Sequence, residues 1–344
     1  MFIHTIRNKE LYIPATLGMK GRVKATLIHA RTGIIKQQLE FDNLLVDAGL
    51  DALMNNRVNV TLGSINLFAV GTGSTPPAVT DTSLENIIGS TTNNGGFTDQ
   101  DEAASSSNDY TYHRTKTRVF IESEANGNLT EFGVHLGSSL GAPLFCRHLF
   151  VDENGDPVTI VKTNEDQLRI DYTIYVKAPV DTTVIEDFMI PTPANPGGVP
   201  TTVSMRAFAV RDSGGTDSAW GANVSYGPNG MGSSNINNYT MEASESDELP
   251  AITDINLPFG AISSGSYTPT SPDTNRKPTY VPGSFELLTR AVWGPSASFP
   301  TGIGVVALSM GNAKAGFALH FSPKIPKSGT ERVVIIGGVK AVRI

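Results

Sequence analysis

Leu168-Arg169-Ile170-Asp171-Tyr172-Thr173-Ile174-Tyr175-Val176 is the stretch that decides how this chain reads. Apolar or aromatic residues take every even position from Leu168 to Val176, and mostly polar ones stand between them. Successive side chains of an extended strand point to opposite faces, so this period of two predicts a half-buried β-strand. The same alternation returns at Val23 to Ile28, Arg118 to Glu122 and Arg332 to Ile336, with Gly, Pro, Asn or Asp between segments. Helical periodicity is scarce. One short helix is expected over Val46 to Asn55, with Asp47 capping its start and Ala48, Leu50, Leu53 and Met54 on its apolar face. Gly49 should weaken that helix. The expected fold is mainly β: two tandem β-sandwich-like domains with one short helix near residues 46–55.

Composition agrees with this reading. The 344 residues suggest about two domains. The 34 Gly and 21 Pro suit a turn-rich β protein, and 39% apolar residues suffice for a core in each domain. Only 17% of residues are charged, which argues against broad disorder. The 26 Lys and Arg against 33 Asp and Glu leave a net charge of −7, opposite in sign to what phosphate binding needs, so no nucleic-acid partner is expected. No run approaches the ~18 apolar residues of a membrane span, and no apolar segment follows Arg7 and Lys9, so neither membrane insertion nor a secretory signal is expected. The matches at Asn59-Val60-Thr61 and Asn128-Leu129-Thr130 to a glycosylation acceptor therefore carry little weight. The single cysteine, Cys146, lies in an apolar run and reads as a buried thiol.

The Pro/Gly-rich run Pro191 to Pro200 reads as a linker, giving an N-terminal domain 1–190 and a C-terminal domain 201–344. Two polar stretches resist a core assignment: Gly89 to Thr111 and Gly227 to Glu248, the latter within a long insertion, Arg211 to Pro282. Both are expected as exposed loops or arms that order on a partner. The two halves look related. Phe68-Ala69-Val70 matches Phe208-Ala209-Val210, Arg118-Val119-Phe120 matches Arg290-Ala291-Val292-Trp293, and Phe132-Gly133-Val134 matches Ile303-Gly304-Val305. Phe145 to Leu149 matches Phe317 to Phe321, Lys162-Thr163 with Asp166 to Ile170 matches Lys327-Ser328 with Glu331 to Ile335, and Val176-Lys177-Ala178 matches Val339-Lys340-Ala341. Most offsets are about 165 to 172 residues and the order is kept, which suggests an internal duplication.

Motifs that carry chemistry are weak. Gly137-Ser138-Ser139-Leu140-Gly141 has the nucleophile-elbow spacing, but Pro143 and a strand follow it where a helix is required. Asp152-Glu153-Asn154-Gly155-Asp156 opens like a calcium loop, yet Pro157 stands at the sixth place and Thr163 where a bidentate Glu belongs. Asn154-Gly155 reads instead as a hairpin turn. His4, His29, His113, His135, His148 and His320 show no metal-ligand spacing. Glu122 with Glu124, or Asp99 with Asp101, would stand about 7 Å apart on a strand face, as a glycosidase pair could, with nothing else marking a cleft. Gly71-Thr72-Gly73 is followed by Ser74-Thr75-Pro76-Pro77 and so is a tight turn and no phosphate loop. No catalytic, cofactor-binding or metal-ligating residue is therefore expected, no cofactor, and no enzyme.

The segment Asp42-Asn43-Leu44-Leu45-Val46-Asp47-Ala48-Gly49-Leu50-Asp51-Ala52-Leu53, followed after a gap by Phe68-Ala69-Val70-Gly71-Thr72-Gly73-Ser74-Thr75-Pro76-Pro77-Ala78-Val79-Thr80-Asp81-Thr82-Ser83-Leu84, resembles virion structural proteins of tailed bacteriophages, of the tail, baseplate and fibre-associated kind. The ending Pro326-Lys327-Ser328-Gly329-Thr330 before a final strand is similar to theirs too. The resemblance covers roughly Lys24 to Lys177 and, through the repeat, the second half. The polar insertions at Gly89 to Thr111 and Arg211 to Pro282 depart from it. It implies a β-rich, homo-oligomeric virion subunit of the tail or baseplate that contacts other phage virion proteins, with no catalytic residue carried over. Assembly is expected to use Met1 to Ala15, Gly89 to Thr111 and Gly227 to Glu248. Two other readings stand beside it: a module that binds host-surface glycan, which an exposed cluster of Trp220, Tyr226 and Tyr239 would favour, and a capsid decoration or head-fibre protein.

Overall fold

The computed structural model of the chain describes residues 10–55, 64–103, 110–178, 183–190, 199–209, 239–245, 274–276, 280–310, 315–327, 329 and 332–344. The first half opens with β1 (Glu10–His29) and β2 (Ile35–Leu45), then the helix α1 (Asp47–Asn55), then β3 (Ile65–Gly71), β4 (Ile87–Thr91) and β5 (Gln100–Ala103). It continues through β6 (Tyr110–Phe120), β7 (Gly127–Leu129), β8 (Glu131–Leu136), β9 (Leu144–Leu149), β10 (Ile160–Lys162) and β11 (Asp166–Ala178). The remaining strands are β12 (Thr183–Ile190), β13 (Val199–Ala209), β14 (Tyr239–Ser244), β15 (Thr274–Arg276), β16 (Glu286–Trp293), β17 (Ile303–Met310), β18 (Ala315–Ile325) and β19 (Val333–Arg343). The described residues are mainly β with one helix, as the alternation predicts.

Two compact units emerge. Unit I comprises Gly18–Glu102, Thr111–Val176 and Ala341–Ile344; unit II comprises Met1–Leu17, Ala103–Tyr110 and Lys177–Lys340. The division differs from the boundary expected at Pro191 to Pro200. Residues 191–198 lie outside the described residues, but β12 and β13 on either side pair antiparallel, Ile190 opposite Val199 and Met189 opposite Pro200. The Pro/Gly run therefore joins two paired strands of one unit. Composition alone does not distinguish a hairpin connection from a linker, because both need residues that end a strand. The real divisions fall inside long strands: β1 has 20 residues, where a strand serving one sheet usually has about five or six.

In unit I, β1 and β2 form an antiparallel hairpin from Gly21↔Asn43 to Ile28↔Ile35, with a bulge at Leu27/Ile28. Strand order runs β1-β2-β9-β8-β3-β4, while β11 pairs with β1 and β6, and β5 pairs with β6. Leu168, Ile170, Tyr172, Ile174 and Val176 of β11 are all buried, while Arg169, Asp171, Thr173 and Tyr175 point outward. Tyr172 meets Phe68 of β3 at 6.1 Å and Phe132 of β8 and Phe145 of β9 at 6.4 Å each, edge-on or tilted. Those contacts set β11 against the β9-β8-β3 layer and place the sandwich core between them, each fully buried aromatic contributing about 2–3 kcal/mol.

The helix occupies residues 47–55, one residue short of the expected span, and buries Gly49, Leu50, Leu53 and Met54. Ala48 is partly buried against Val46, Ala69, Leu84 and Leu144. Gly49 has a packing role: a Cβ there would sit 2.5 Å from Phe145 Cα and 2.8 Å from Leu144 O. The helix therefore lies on β9 only because residue 49 has no side chain, and that contact outweighs the propensity cost of about 1 kcal/mol.

The stretch expected as one polar arm, Gly89 to Thr111, is partly strand. It contains the end of β4, all of β5 and the start of β6, and residues 104–109 lie outside the described residues. Between them Asn93 and Asn94 close turns on the amides of Gly95 and Gly96 at 3.0 Å, and Val119 N donates to Asn93 O at 2.8 Å. Of the insertion Arg211 to Pro282, β14, Glu245, β15 and residues 280–282 are described, so most of Gly227 to Glu248, with Trp220 and Tyr226, and Met1 to Lys9 lie outside.

Unit II contains the five-stranded sheet β12-β13-β18-β17-β14 and the antiparallel run β15-β16-β19. Its buried residues include Trp293, Phe299, Val305 and Phe321. The strand order has a counterpart in unit I: β2-β9-β8-β3 and β13-β18-β17-β14 each run first, fourth, third, second in chain order. The matched segments Phe132-Gly133-Val134 and Ile303-Gly304-Val305 fall in the corresponding strands β8 and β17, and Phe145 to Leu149 and Phe317 to Phe321 in β9 and β18. The match of Phe68-Ala69-Val70 with Phe208-Ala209-Val210 does not correspond: β3 pairs with β8, whereas β13 pairs with β18, the place β2 takes beside β9.

Candidate functional site

The residues of the Val70 to Leu84 motif form a loop wrapped around a buried carboxylate. Glu131, at the start of β8, is 0% exposed. Its Oε1 accepts from the amides of Gly73 at 3.0 Å and Asn86 at 2.8 Å, and its Oε2 from the amide of Glu85 at 3.0 Å and from Arg147 Nε at 3.0 Å. Arg147 of β9 extends into the same loop, donating from Nη1 to Asp81 Oδ2 at 2.8 Å and from Nη2 to Thr75 O at 3.1 Å. Glu85 closes the outer turn, accepting from the amides of Thr75 at 2.9 Å and Ser74 at 2.8 Å; the Thr75 amide and hydroxyl hold its carboxyl below the usual range. Gly73 is required at its place, since a Cβ there would lie 2.4 Å from Glu131 Oε1. Gly73 of the Gly71-Thr72-Gly73 turn, with Glu85 and Asn86, thus gathers amides around an anion, and the anion is the protein's own side chain. Every polar atom of this cluster that the bonds name is engaged within the fold, which makes the loop a structural clamp.

The other motifs resolve into turns. Gly137 to Gly141 connects β8 to β9; Ala142 N donates to Ser139 O at 3.0 Å, and no helix follows. His135 sits 2.9 Å from Ala142 O through Nδ1, and burial lowers its basicity. Asp152 to Asp156 is a turn in which Asp152 Oδ1 accepts from the amides of Asn154 at 2.8 Å and Asp156 at 3.0 Å. Gly155 takes φ +85°, and the closing bond runs from Asp152 N to Asp156 O, so the turn is longer than a two-residue Asn-Gly hairpin. Among the described residues, no group of three or more His, Cys, Asp or Glu is placed to hold a metal. No helix there is long and apolar enough to cross a membrane.

Glu122, Glu124 and Asp99 are also committed elsewhere, and the Asp101 side chain lies outside what is described. Glu122 and Glu124 lie in the turn after β6 rather than along a strand, where Glu124 Oε2 accepts from Ile121 N at 3.2 Å and Glu122 Oε1 from Gln167 Nε2 at 3.2 Å. Asp99 bonds Lys116 at 2.7 Å; burial pushes the Lys116 ammonium below its ordinary value and Asp99 opposes that shift. Cys146 is fully buried, and desolvation raises its thiol to about 12. His148 Nδ1 lies 2.8 Å from Leu149 O and its ring packs 5.3 Å from Phe41.

Two lysines that the comparison of the halves pairs, Lys162 and Lys327, each donate to a loop carbonyl. Lys162, 2% exposed, donates from Nζ to Ile121 O at 2.8 Å, just past β6. Lys327, 7% exposed, donates from Nζ to Ala297 O at 2.6 Å, past β16. Each ties its own unit's loop through a buried charge.

A second site lies on the outer face of unit I, where the odd positions of β11 emerge. There β1, β6, β11 and the Asn93 to Gln100 segment enclose a polar groove of about 430 Å³. Its floor is a set of polar bonds: two between β6 and β11, with the Thr115 and Thr173 hydroxyls 2.8 Å apart and Thr117 Oγ1 donating to Asp171 Oδ1 at 2.6 Å, and one along β11, from Arg169 Nη2 to the same oxygen at 2.9 Å. Phe97 forms one wall, its ring 4.1 Å from the Arg169 guanidinium. Arg22 and Glu40 pair at 2.9 Å on the other side, beside Lys24. Strand alternation in the sequence identifies these outward positions but not their enclosure, which depends on the Asn93 to Gln100 turn. Glu131 and Arg147 also escape sequence reading, although a lone charge inside each apolar run, Glu131 before Phe132 and Arg147 after Cys146, is the available signal.

Comparison of the chain with protein-family models, with curated proteins and with solved structures finds no match.

Proposed function

We propose that this chain is a non-enzymatic structural subunit of a tailed-phage virion, in the tail or baseplate, assembled with copies of itself and with other virion proteins. The observation that carries the reading is the fate of the residues resembling that family. Asp47, Leu50 and Leu53 build α1, and Val70 to Leu84 close on Glu131 and Arg147. A motif whose polar groups bond each other specifies a fold and leaves no group for chemistry. The two units of like strand order, with Lys162 and Lys327 each donating to a loop carbonyl, support an internal duplication. Nucleic acid and membrane insertion have no part in this proposal.

The test is immunogold electron microscopy of purified particles with an antibody to this chain. Label at the tail end supports the proposal. Label over the head replaces it with capsid decoration, and no label on intact or disrupted particles overturns the virion assignment.

A further inference from the structure

We infer that the outer groove of unit I binds a carboxylated saccharide. The inference concerns unit I itself and does not depend on where in a particle the chain sits. At about 430 Å³ the groove falls in the size range of small-ligand sites, but its lining is far more polar than most of them. Four threonines, two carboxylates and three cations line it, and Phe97 and Tyr175 supply the aromatic surface. Such a lining suits a ligand whose own surface is a ring of hydroxyls over a small apolar face. Asp171 Oδ1 takes the bonds from Thr117 and Arg169, so Oδ2 is the oxygen left to accept a ligand hydroxyl. A peptide would bring apolar side chains with no matching pocket, and an acidic one would bring carboxylates to Asp171 and Glu40 with few hydroxyl donors.

Charge narrows the class. Glu40 is paired with Arg22 and Asp171 with Arg169, each at 2.9 Å. Lys24 is the third cation of the lining; it stands opposite Glu40 in the β1-β2 register, and among the described residues no carboxylate lies within ion-pair distance of it. The groove thus keeps one uncompensated positive charge on a chain of net charge −7. A single ligand carboxylate matches that charge, and Asp171 and Glu40 would oppose a more densely charged anion.

The test is a glycan microarray carrying neutral, sulfated and carboxylated saccharides, probed with the purified full chain and with Lys24→Glu and Thr173→Val. The expected result is retention of carboxylated glycans, loss of binding to their carboxyl-reduced counterparts, and at least about tenfold weaker binding by Lys24→Glu at unchanged Tm. Failure to retain any carboxylated glycan overturns the inference. So does equal retention of neutral or sulfated glycans, or wild-type binding by both variants. None of these outcomes alters the position of gold label on a particle, so this inference and the virion proposal can fail separately.

Discussion

Arg147 and Glu131 form an ion pair inside unit I: Arg147 Nε lies 3.0 Å from Glu131 Oε2, with side chains 3% and 0% exposed. Removing two charges from water costs several kcal/mol each, and the attraction between them rarely repays this alone. Here the backbone supplies the remainder. Three amides complete the Glu131 carboxylate, while Asp81 and Thr75 complete the guanidinium. The pair and the loop are therefore mutually dependent.

Removing either partner leaves the other charge buried. Arg147→Ala and Glu131→Ala should each destabilise the protein by about 3–5 kcal/mol in denaturant unfolding. Arg147→Lys, which keeps the charge but loses the fork to Asp81 and Thr75, should still cost about 1–3 kcal/mol. Wild-type stability in Arg147→Ala would refute the clamp.

Gly49→Ala opposes two effects of known sign. Helix propensity favours alanine by about 1 kcal/mol, but the new methyl would sit 2.5 Å from the Phe145 Cα, a backbone atom with little room to move. Overpacking costs about 1–3 kcal/mol, so the net change should be destabilising, read as a lower Tm. A raised Tm would show that α1 shifts away from β9 at little cost.

Cys146, with its thiol raised to about 12 by burial, should not react with a thiol reagent at pH 8 while the protein is folded. Full reaction is expected only in denaturant. Fast labelling under native conditions would mean that the β8-β9 region opens readily.

Asp166 gives an acid-dependent contribution. Burial by itself would raise its carboxyl, but bonds from Thr163 and Lys36 outweigh that effect and hold it at about 2, against an ordinary 3.8. The folded state therefore binds the proton more weakly than the unfolded chain. The stabilisation is present above pH 3.8 and is lost as pH falls toward 2. Unfolding free energy measured across that window should fall more steeply for the wild type than for Asp166→Asn. Parallel curves would show that Asp166 does not contribute.

The alternation from Leu168 to Val176 was enough to establish β structure, because a period of two is a local property of strand geometry and burial on one face. The helix after Val46 was equally legible, from four apolar residues at helical spacing and an acidic start. The division between units was not: Pro191 to Pro200 breaks a strand in any context, and only the pairing of Ile190 with Val199 shows which strands it joins. Gly49 read locally as a defect, and the approach of Phe145, 96 residues further along, makes it a requirement. The clamp and the groove are likewise tertiary. Sequence supplied the charged residues, but whether Glu131 meets Arg147, or Phe97 meets Arg169, depends on register and loop closure across distant strands. Local periodicity determines which face of each strand is apolar; only the assembled sheets decide which polar groups are buried together and must satisfy one another.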